Sequence, residues 1–155
     1  MASKLQKQLK MSKPFENIET EAYINLMRTH SVLTAQANEV FKSMGITQVQ
    51  YNVLRILKGA GPEGLPTTSI SERMITREPD ITRLVDRLLK LEWVDKRRCT
   101  EDRRVVYVSI TKKGMELIQG LHKTLDEFHV SLFKHMSKKD LNALNDLLVA
   151  ARNEA

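Results

Sequence analysis

The chain has 155 residues and a formal net charge of +6, from 25 Lys and Arg against 19 Asp and Glu. This length fits one domain, or one globular body with a helical extension, and the positive balance favours a polyanionic partner without proving one. One cysteine excludes an intrachain disulfide and fits a reducing cytoplasm. No apolar run approaches the ~20 residues that span a bilayer, and the N-terminus lacks the apolar core of a secretory signal.

Residues 1–14 are polar and basic, with lysines at regular intervals: Lys4, Lys7, Lys10 and Lys13. We expect a flexible basic arm, as is usual for chain termini. An arm that contacts phosphate is the alternative.

Residues 15–46 predict one long helix, because apolar positions recur at alternating spacings of three and four. These positions are Tyr23, Leu26, His30, Leu33, Ala37, Val40 and Met44. Gly45 is well placed to end the helix. His30 lies in this apolar seam, as a packed core or interface histidine or as part of a ligand pocket.

Two short helices are predicted next. Thr47 and Gln50 match a capping box at the start of the first, and residues 59–66 hold three glycines and two prolines, which indicates a loop with a short edge strand around Leu65. One of three hydroxyl residues then caps the second helix, where it could also contact phosphate. These residues are Thr67, Thr68 and Ser69.

The following segment predicts an amphipathic helix. Its buried stripe consists of Ile81, Leu84, Val85, Leu88 and Leu91. Pro79 falls in the first turn, where its missing N–H costs nothing. The opposite face carries Thr82, Arg83, Asp86 and Lys90.

A strand–turn–strand follows this helix. Val94 and the alternating residues 106–110 fit β-structure, and residues 96–104 between them hold five basic and two acidic side chains. A helix-turn-helix followed by a hairpin with a basic tip is a winged helix. Its second helix suits the major groove of DNA, and its hairpin suits the minor groove or the phosphates.

Residues 80–114 resemble the multiple antibiotic resistance regulator (MarR) family of bacterial winged-helix transcription factors. The matching pieces are TRLVDRL at 82–88, DRR at 102–104 and ITKKG at 110–114, and the likeness extends over roughly residues 20–150. The family usually carries a glycine near position 93, where this chain has Trp93.

Two further helices are predicted after the hairpin. The first, capped by Thr111, carries the seam Ile118, Leu121, Leu125, Phe128 and Leu132, and the second, capped by Ser137, carries Leu141, Leu144, Leu148 and Ala151. Unpaired seams of this length would leave apolar patches exposed. We therefore expect the first long helix and these two to pack against a second copy, with a monomeric helical annex as the alternative.

The predicted fold class is mostly α with a small β-wing, a winged helix-turn-helix core flanked by dimerisation helices. The expected segments are a flexible basic arm (1–14), an N-terminal dimerisation helix (15–46), the DNA-binding domain (47–111) and C-terminal dimerisation helices (112–155).

The expected function is that of a homodimeric, sequence-specific DNA-binding transcription regulator that reads a pseudo-palindromic operator. The resemblance implies a repressor released by a small effector such as an aromatic carboxylate, with a pocket beside the first long helix, which favours His30 as a ligand contact. Two alternatives stay open: a non-specific architectural DNA-binding protein, and a winged helix used for protein–protein contact.

The expected DNA contacts fall into three groups. Arg83 would pair with guanine and Asp80 would accept from a cytosine amine, next to Pro79 and Thr82. Phosphates would be held by Arg77 together with Thr67, Thr68 and Ser69. In the wing the resemblance implies that Asp102 supports Arg104, which enters the minor groove beside Arg103.

Signs of catalysis are lacking. No P-loop, dinucleotide fingerprint or zinc-protease motif is present, so we expect neither an enzyme nor a cofactor. His122, His129 and His135 share one helix, but no carboxylate or cysteine at ligand spacing clearly completes a site, so we predict no metal. Whether Cys99 is a bystander thiol or an oxidant sensor stays open.

Overall fold

The computed structural model describes residues 3–76, 78–100, 102 and 104–152. Those residues form seven helices and three strands in two compact units, which divide between Ser43 and Met44. In order, the elements are α1 (Lys4–Gln8), α2 (Ile18–Ser43), α3 (Gln48–Ala60), β1 (Leu65–Pro66), α4 (Thr67–Arg73), α5 (Ile81–Lys90), β2 (Val94–Arg98), β3 (Val106–Ile110), α6 (Lys112–Leu132) and α7 (Lys138–Arg152). None of these helices combines the length and apolarity needed to cross a membrane.

The first unit begins with a helix that the sequence analysis did not predict. Ser3 and Gln6 cap α1 reciprocally: the Gln6 amide donates to Ser3 Oγ at 3.2 Å, and the Ser3 amide donates to Gln6 Oε1. Leu5 is buried. Within the segment expected to be a flexible arm, residues 1–14, the structure thus contains one short capped helix, and five residues are too few to show a periodic pattern in the sequence.

The long helix α2 forms as predicted and leaves most of its apolar seam uncovered. Asn17 Oδ1 accepts from the Thr20 amide at 2.7 Å, and Gly45 follows the helix with a φ of +70°. Only Ala37 and Phe41 are buried along its 26 residues. The solvent-exposed large apolar residues of α2 are Ile18, Tyr23, Leu26, Met27 and Val32.

The second unit holds a core of α3, α4 and α5 against a three-stranded antiparallel sheet with the order β1-β3-β2. The predicted edge strand is β1, in which Leu65 lies opposite Val108. The predicted capping box at Thr47 and Gln50 is confirmed. Side chains with no exposed surface fill the core: Val53, Leu54, Leu57, Ile70, Val85, Leu88, Val94 and Val108.

The inward placement of Leu91 is wrong. Leu91 is the C-terminal cap of α5 and remains 40% exposed, because the helix ends at Lys90. The next residue, Glu92, adopts a left-handed φ of +61°. Its amide donates to Leu89 O at 2.9 Å, and the Trp93 amide donates to Leu88 O at 3.0 Å. This paired arrangement is a common helix ending in which glycine is the favoured left-handed residue, so the glycine-like position is Glu92.

The start of α6 is locked to the end of α5. Thr111 Oγ1 accepts from the Gly114 amide at 3.0 Å and donates to Glu92 O at 2.7 Å. The Thr111 amide donates to Trp93 O at 3.1 Å. A Cβ placed on Gly114 would lie 2.2 Å from that same carbonyl oxygen. The end of α5 and the start of α6 are therefore closely packed against each other.

The two C-terminal helices differ in how much of their surface they bury. Helix α6 packs against α3 and buries Ile118 and Leu125. Helix α7 begins at the predicted cap, where Ser137 Oγ accepts from the Asp140 amide at 3.1 Å, but it contains no buried residue. Leu147 and Val149 are more than half exposed, so these two apolar side chains of α7 are not covered within one chain.

Candidate nucleic-acid interface

The N-terminus of α5 is organised by Asp80, which is its N-cap. Asp80 Oδ1 accepts from the Arg83 amide at 3.0 Å, and Asp80 Oδ2 lies 2.9 Å from Arg83 Nε. Both carboxylate oxygens of Asp80 thus contact Arg83. The expectation from the sequence was that this carboxylate accepts a hydrogen bond from a cytosine amine. The placement of Pro79 in the first turn is wrong: Pro79 precedes the N-cap, because the aspartate next to it supplies the capping oxygen.

The outward face of α5 is as predicted. Thr82 and Arg83 are exposed, whereas Leu84, Val85 and Leu88 on the other face are buried. The helix therefore presents a polar surface at its first turn while its apolar stripe is held by the core.

Helix α4 begins differently from the prediction. Thr67, Thr68 and Ser69 are its first three residues, and its N-cap is Pro66, with no side-chain capping bond. The expectation that one of the three hydroxyls caps this helix is wrong, because the chain enters the helix directly from β1, where Pro66 pairs with Tyr107. Thr68 is exposed and the other two are half-buried.

Near the tip of the wing, Asp102 makes two hydrogen bonds to the backbone of the residues that precede β3. Its carboxylate accepts from the backbone amide of Arg104 at 2.9 Å, and its carbonyl accepts from the Val105 amide at 3.0 Å. The Cys99 amide donates to Val105 O at 2.9 Å and closes the loop. Asp102 therefore supports the backbone of Arg104. Two other predicted contacts, Arg77 and Arg103, lie outside the described residues.

Two of the basic residues assigned to the tip lie in strand β2 and have acidic partners. Lys96 Nζ pairs with Asp86, and this ion pair joins strand β2 of the wing to helix α5. Arg97 Nη2 lies 2.8 Å from Glu63 Oε2, and its guanidinium stacks 4.7 Å from the Tyr107 ring centroid. Local sequence patterns do not reveal these pairings, because the partners are separated by 10 and 34 residues.

Arg98 and Arg104 are the remaining described cations of the hairpin. Both are exposed, and neither forms an ion pair with another residue that the structure describes. They are therefore the wing side chains whose positive charge is available to a polyanion.

A cleft of about 340 Å³ lies between the N-termini of α3 and α5. It is lined by Thr47, Val49, Gln50, Glu78, Asp80, Arg83, Leu84 and Arg87. The lining combines two carboxylates with two guanidiniums, so its charge is balanced. Arg87 was not among the predicted site residues; its position one helical turn after Arg83 is the signal that could have identified it.

The remaining predicted residues lie elsewhere. His30 is an exposed residue of α2 in the first unit. Of the three C-terminal histidines, His122 lies 3.4 Å from Asp126. Among the described residues, no group of three or more side chains is placed to hold a metal ion.

The arrangement of α4, α5 and the β2–β3 hairpin defines a winged helix-turn-helix DNA-binding regulator. A family model described as transcriptional regulator SarA/Rot matches residues 36–121. The chain belongs to this family of transcription regulators, within the broader MarR class of winged-helix proteins. The predicted family and fold class are thereby confirmed.

Three relatives illustrate the similarity. A MarR transcription factor from Planctomyces limnophilus is 35% identical, with a TM-score of 0.68 over 88% of this chain and 98% of its own. A MarR mutant from E. coli in complex with operator DNA is 21% identical, with a TM-score of 0.78 over 90% and 99% of the two chains. The transcriptional repressor IacR from Pseudomonas putida is 28% identical over 79% of this chain and 72% of its own.

Proposed function

We propose that the protein is a homodimeric, sequence-specific transcription regulator, and more narrowly a repressor that a small ligand releases from a pseudo-palindromic operator. The observation that carries this proposal is the pairing of two elements. Helix α5 exposes a polar face opposite the buried residues Leu84, Val85 and Leu88, and the hairpin that follows carries two arginines without described ion-pair partners. One element suits base edges in the major groove, and the other suits phosphates or the minor groove.

Within this proposal α5 enters the major groove with its first turn. Arg83 contacts guanine, Thr82 contacts a neighbouring base or its methyl group, and Pro79 lies close to the DNA backbone. Thr67, Thr68 and Ser69 at the start of α4 contact phosphate, as would Arg77.

The wing is proposed to contact DNA through Arg104, whose backbone is held by Asp102, together with Arg98 and the neighbouring Arg103. These contacts supply affinity that does not depend on base identity.

A second copy of the chain is the proposed partner of the uncovered apolar surfaces. Helix α2 leaves Tyr23 64% and Leu26 43% exposed, and α7 leaves Leu147 67% exposed. Burying such side chains is favourable by about 25 cal/mol for each Å² removed from water. A two-fold dimer would place two recognition helices about one turn of DNA apart, at about 34–36 Å.

The effector is proposed to be a small molecule such as an aromatic carboxylate, with His30 among its contacts. Support for a repressor comes from the relative IacR, which is named a transcriptional repressor. As a DNA-binding regulator with a single cysteine, the protein would act in the bacterial cytoplasm.

A competition binding assay tests the proposal. Labelled duplex from the region upstream of the protein's own gene is competed with random duplex, over a salt series. A specific regulator should prefer one upstream duplex by ~10³-fold or more at physiological salt. Equal affinity for all duplexes would indicate an architectural DNA binder, and the absence of salt-dependent binding would indicate a protein-interaction module.

A further inference from the structure

We propose that Asp80 is a positioning residue that sets the specificity of Arg83, fixing the guanidinium for guanine and making no base contact of its own. This inference rests on the proposed role of α5 as the helix that reads the major groove. It assigns to Asp80 a task different from the one that its chemistry alone suggests, which is to accept a hydrogen bond from cytosine.

The first observation is that the Asp80 carboxylate contacts both the backbone amide and the side chain of Arg83. Asp80 Oδ1 accepts from the Arg83 backbone amide at 3.0 Å, and Asp80 Oδ2 lies 2.9 Å from Arg83 Nε. The capping bond anchors the carboxylate to the helix, so the second oxygen has a fixed position. The arginine side chain is therefore held near this carboxylate at Nε before any DNA is bound.

The second observation is which guanidinium atoms remain available. Nε lies at ion-pair distance from Asp80 Oδ2, while the two terminal nitrogens of Arg83 have no hydrogen-bond partner among the described residues. A guanine presents two acceptors, O6 and N7, and two parallel N–H donors on a rigid fork match them. The contact with Asp80 therefore leaves the two terminal nitrogens of Arg83 free to pair with guanine.

The exposure of the two side chains indicates the role of the Asp80–Arg83 ion pair. The Arg83 side chain is 79% exposed and that of Asp80 is 44% exposed, and pairs of this kind contribute little to folding stability. A carboxylate at a DNA-facing surface also repels phosphates. Asp80 therefore lowers affinity for DNA in general, while the restrained arginine raises discrimination at one base pair.

The proposed test is selection from a library of randomised DNA duplexes with full-length protein, followed by affinity measurements on the selected duplex and on its single-base variants. The variant is Asp80→Asn, because asparagine keeps a capping oxygen and removes the charge that holds Nε. Asp80→Ser, which also caps, is the second variant. Melting temperature confirms that each protein is folded.

Wild type should prefer guanine at one position per half-site by ~5- to 150-fold, the range of a good bidentate contact. Asp80→Asn should reduce this preference to about threefold or less and bind random duplex about two- to fivefold more tightly, because two negative charges leave the dimer surface. A structural role alone would weaken binding to all duplexes equally.

The double variant Asp80→Asn with Arg83→Ala, compared with Arg83→Ala alone, distinguishes positioning of Arg83 from direct base recognition by Asp80. If Asp80 acts through Arg83, Asp80→Asn should change no base preference in the Arg83→Ala background. A further loss of preference in that background would show that Asp80 reads a base itself and would overturn the proposal. An unchanged preference for guanine in both Asp80→Asn and Asp80→Ser would also overturn the proposal. If wild type selects no sequence at all, the proposed function fails as well, and the two failures are thus distinguishable.

Discussion

Glu92 Oε2 lies 2.7 Å from Lys113 Nζ, and this ion pair joins the second residue after α5 to the first turn of α6. The pair reinforces the hydrogen bond from Thr111 to the Glu92 carbonyl. Both charged side chains are mostly exposed, so we expect the ion pair to add little stability. The left-handed φ of +61° at the same residue is unfavourable for any side chain with a Cβ.

We predict that Glu92→Gly stabilises the protein, because relief of the left-handed backbone outweighs loss of a surface ion pair. The melting temperature should rise by roughly 2–4 °C. Glu92→Ala is the matched control: it loses the ion pair but keeps the Cβ, so its melting temperature should fall slightly. A lower melting temperature for the glycine variant than for the alanine variant would show that the backbone is not strained here.

The ion pair also predicts a pH dependence. The hydrogen bond from Lys113, followed by its positive charge, holds the pKa of Glu92 below its ordinary value of 4.5. A carboxyl with a depressed folded-state pKa contributes stability above the unfolded-state pKa and loses it as the pH falls through the folded-state value. Urea unfolding should therefore show a stability difference between wild type and Glu92→Gln at neutral pH that disappears in acid below pH 4.5. A difference that grows on acidification would contradict this sign.

Close packing between the end of α5 and the start of α6 predicts opposite effects for two glycines of α6. A Cβ on Gly114 would meet Trp93 O at 2.2 Å, whereas one on Gly120 would meet nothing within 4 Å. Gly114→Ala should destabilise by roughly 1–3 kcal/mol or more, as overpacking does. Gly120→Ala should stabilise by roughly 0.5–1 kcal/mol, because alanine favours a helix interior. Urea unfolding measures both, and equal effects would argue against the close approach of α6 to Trp93.

Dimerisation is best tested with side chains that one chain leaves exposed. Leu125 lies in the predicted C-terminal seam, but it is 1% exposed within a single chain, so a charge there would unfold the protomer as well. Leu26 is exposed and lies in the seam of α2. We predict that Leu26→Asp gives folded monomers in sedimentation, because the dimer would have to bury an unpaired charge.

Ala35→Asp is the control for this prediction. Ala35 is exposed on the same helix, about two and a half turns beyond Leu26 and hence on the opposite side. This variant should sediment as a dimer. If both variants remain dimeric, the α2 seam is not the interface.

The sequence predicted the fold well wherever local patterns determine structure. The capping box at Thr47 and Gln50, the stripe of Leu84 and Leu88, and the alternation around Val108 depend on neighbours within a few residues. Cap positions next to prolines were predicted wrongly: at Pro79 the capping role lies with Asp80, and at Pro66 the helix begins without a side-chain cap.

The site was harder to predict than the fold, because charged side chains choose partners across the chain. Five basic residues between positions 96 and 104 suggest a uniformly cationic tip. In the structure, Lys96 pairs with Asp86 and Arg97 pairs with Glu63. No periodicity reveals such contacts, since they arise only when the hairpin packs beside α5 and beside the loop before β1.

The central claim is that α5 reads bases while the wing tip contacts the backbone. The direct measurement is affinity for selected and scrambled duplexes over a salt series, with folding checked by circular dichroism. Arg83→Ala should cost ~1–3 kcal/mol per half-site on the selected duplex and relax preference at one base pair. Arg104→Ala should weaken both duplexes alike and flatten the salt slope by about one unit per lost phosphate contact.

Arg97→Ala removes the same charge as Arg104→Ala, but that charge is already paired with Glu63. We predict that Arg97→Ala changes the salt slope much less than Arg104→Ala does, and that Asp102→Ala resembles a milder Arg104→Ala because it frees the turn without removing the cation. Equal affinities and equal salt slopes for wild type and Arg104→Ala on both duplexes would contradict the account, and the hairpin would then be a solvated turn with no role in DNA binding.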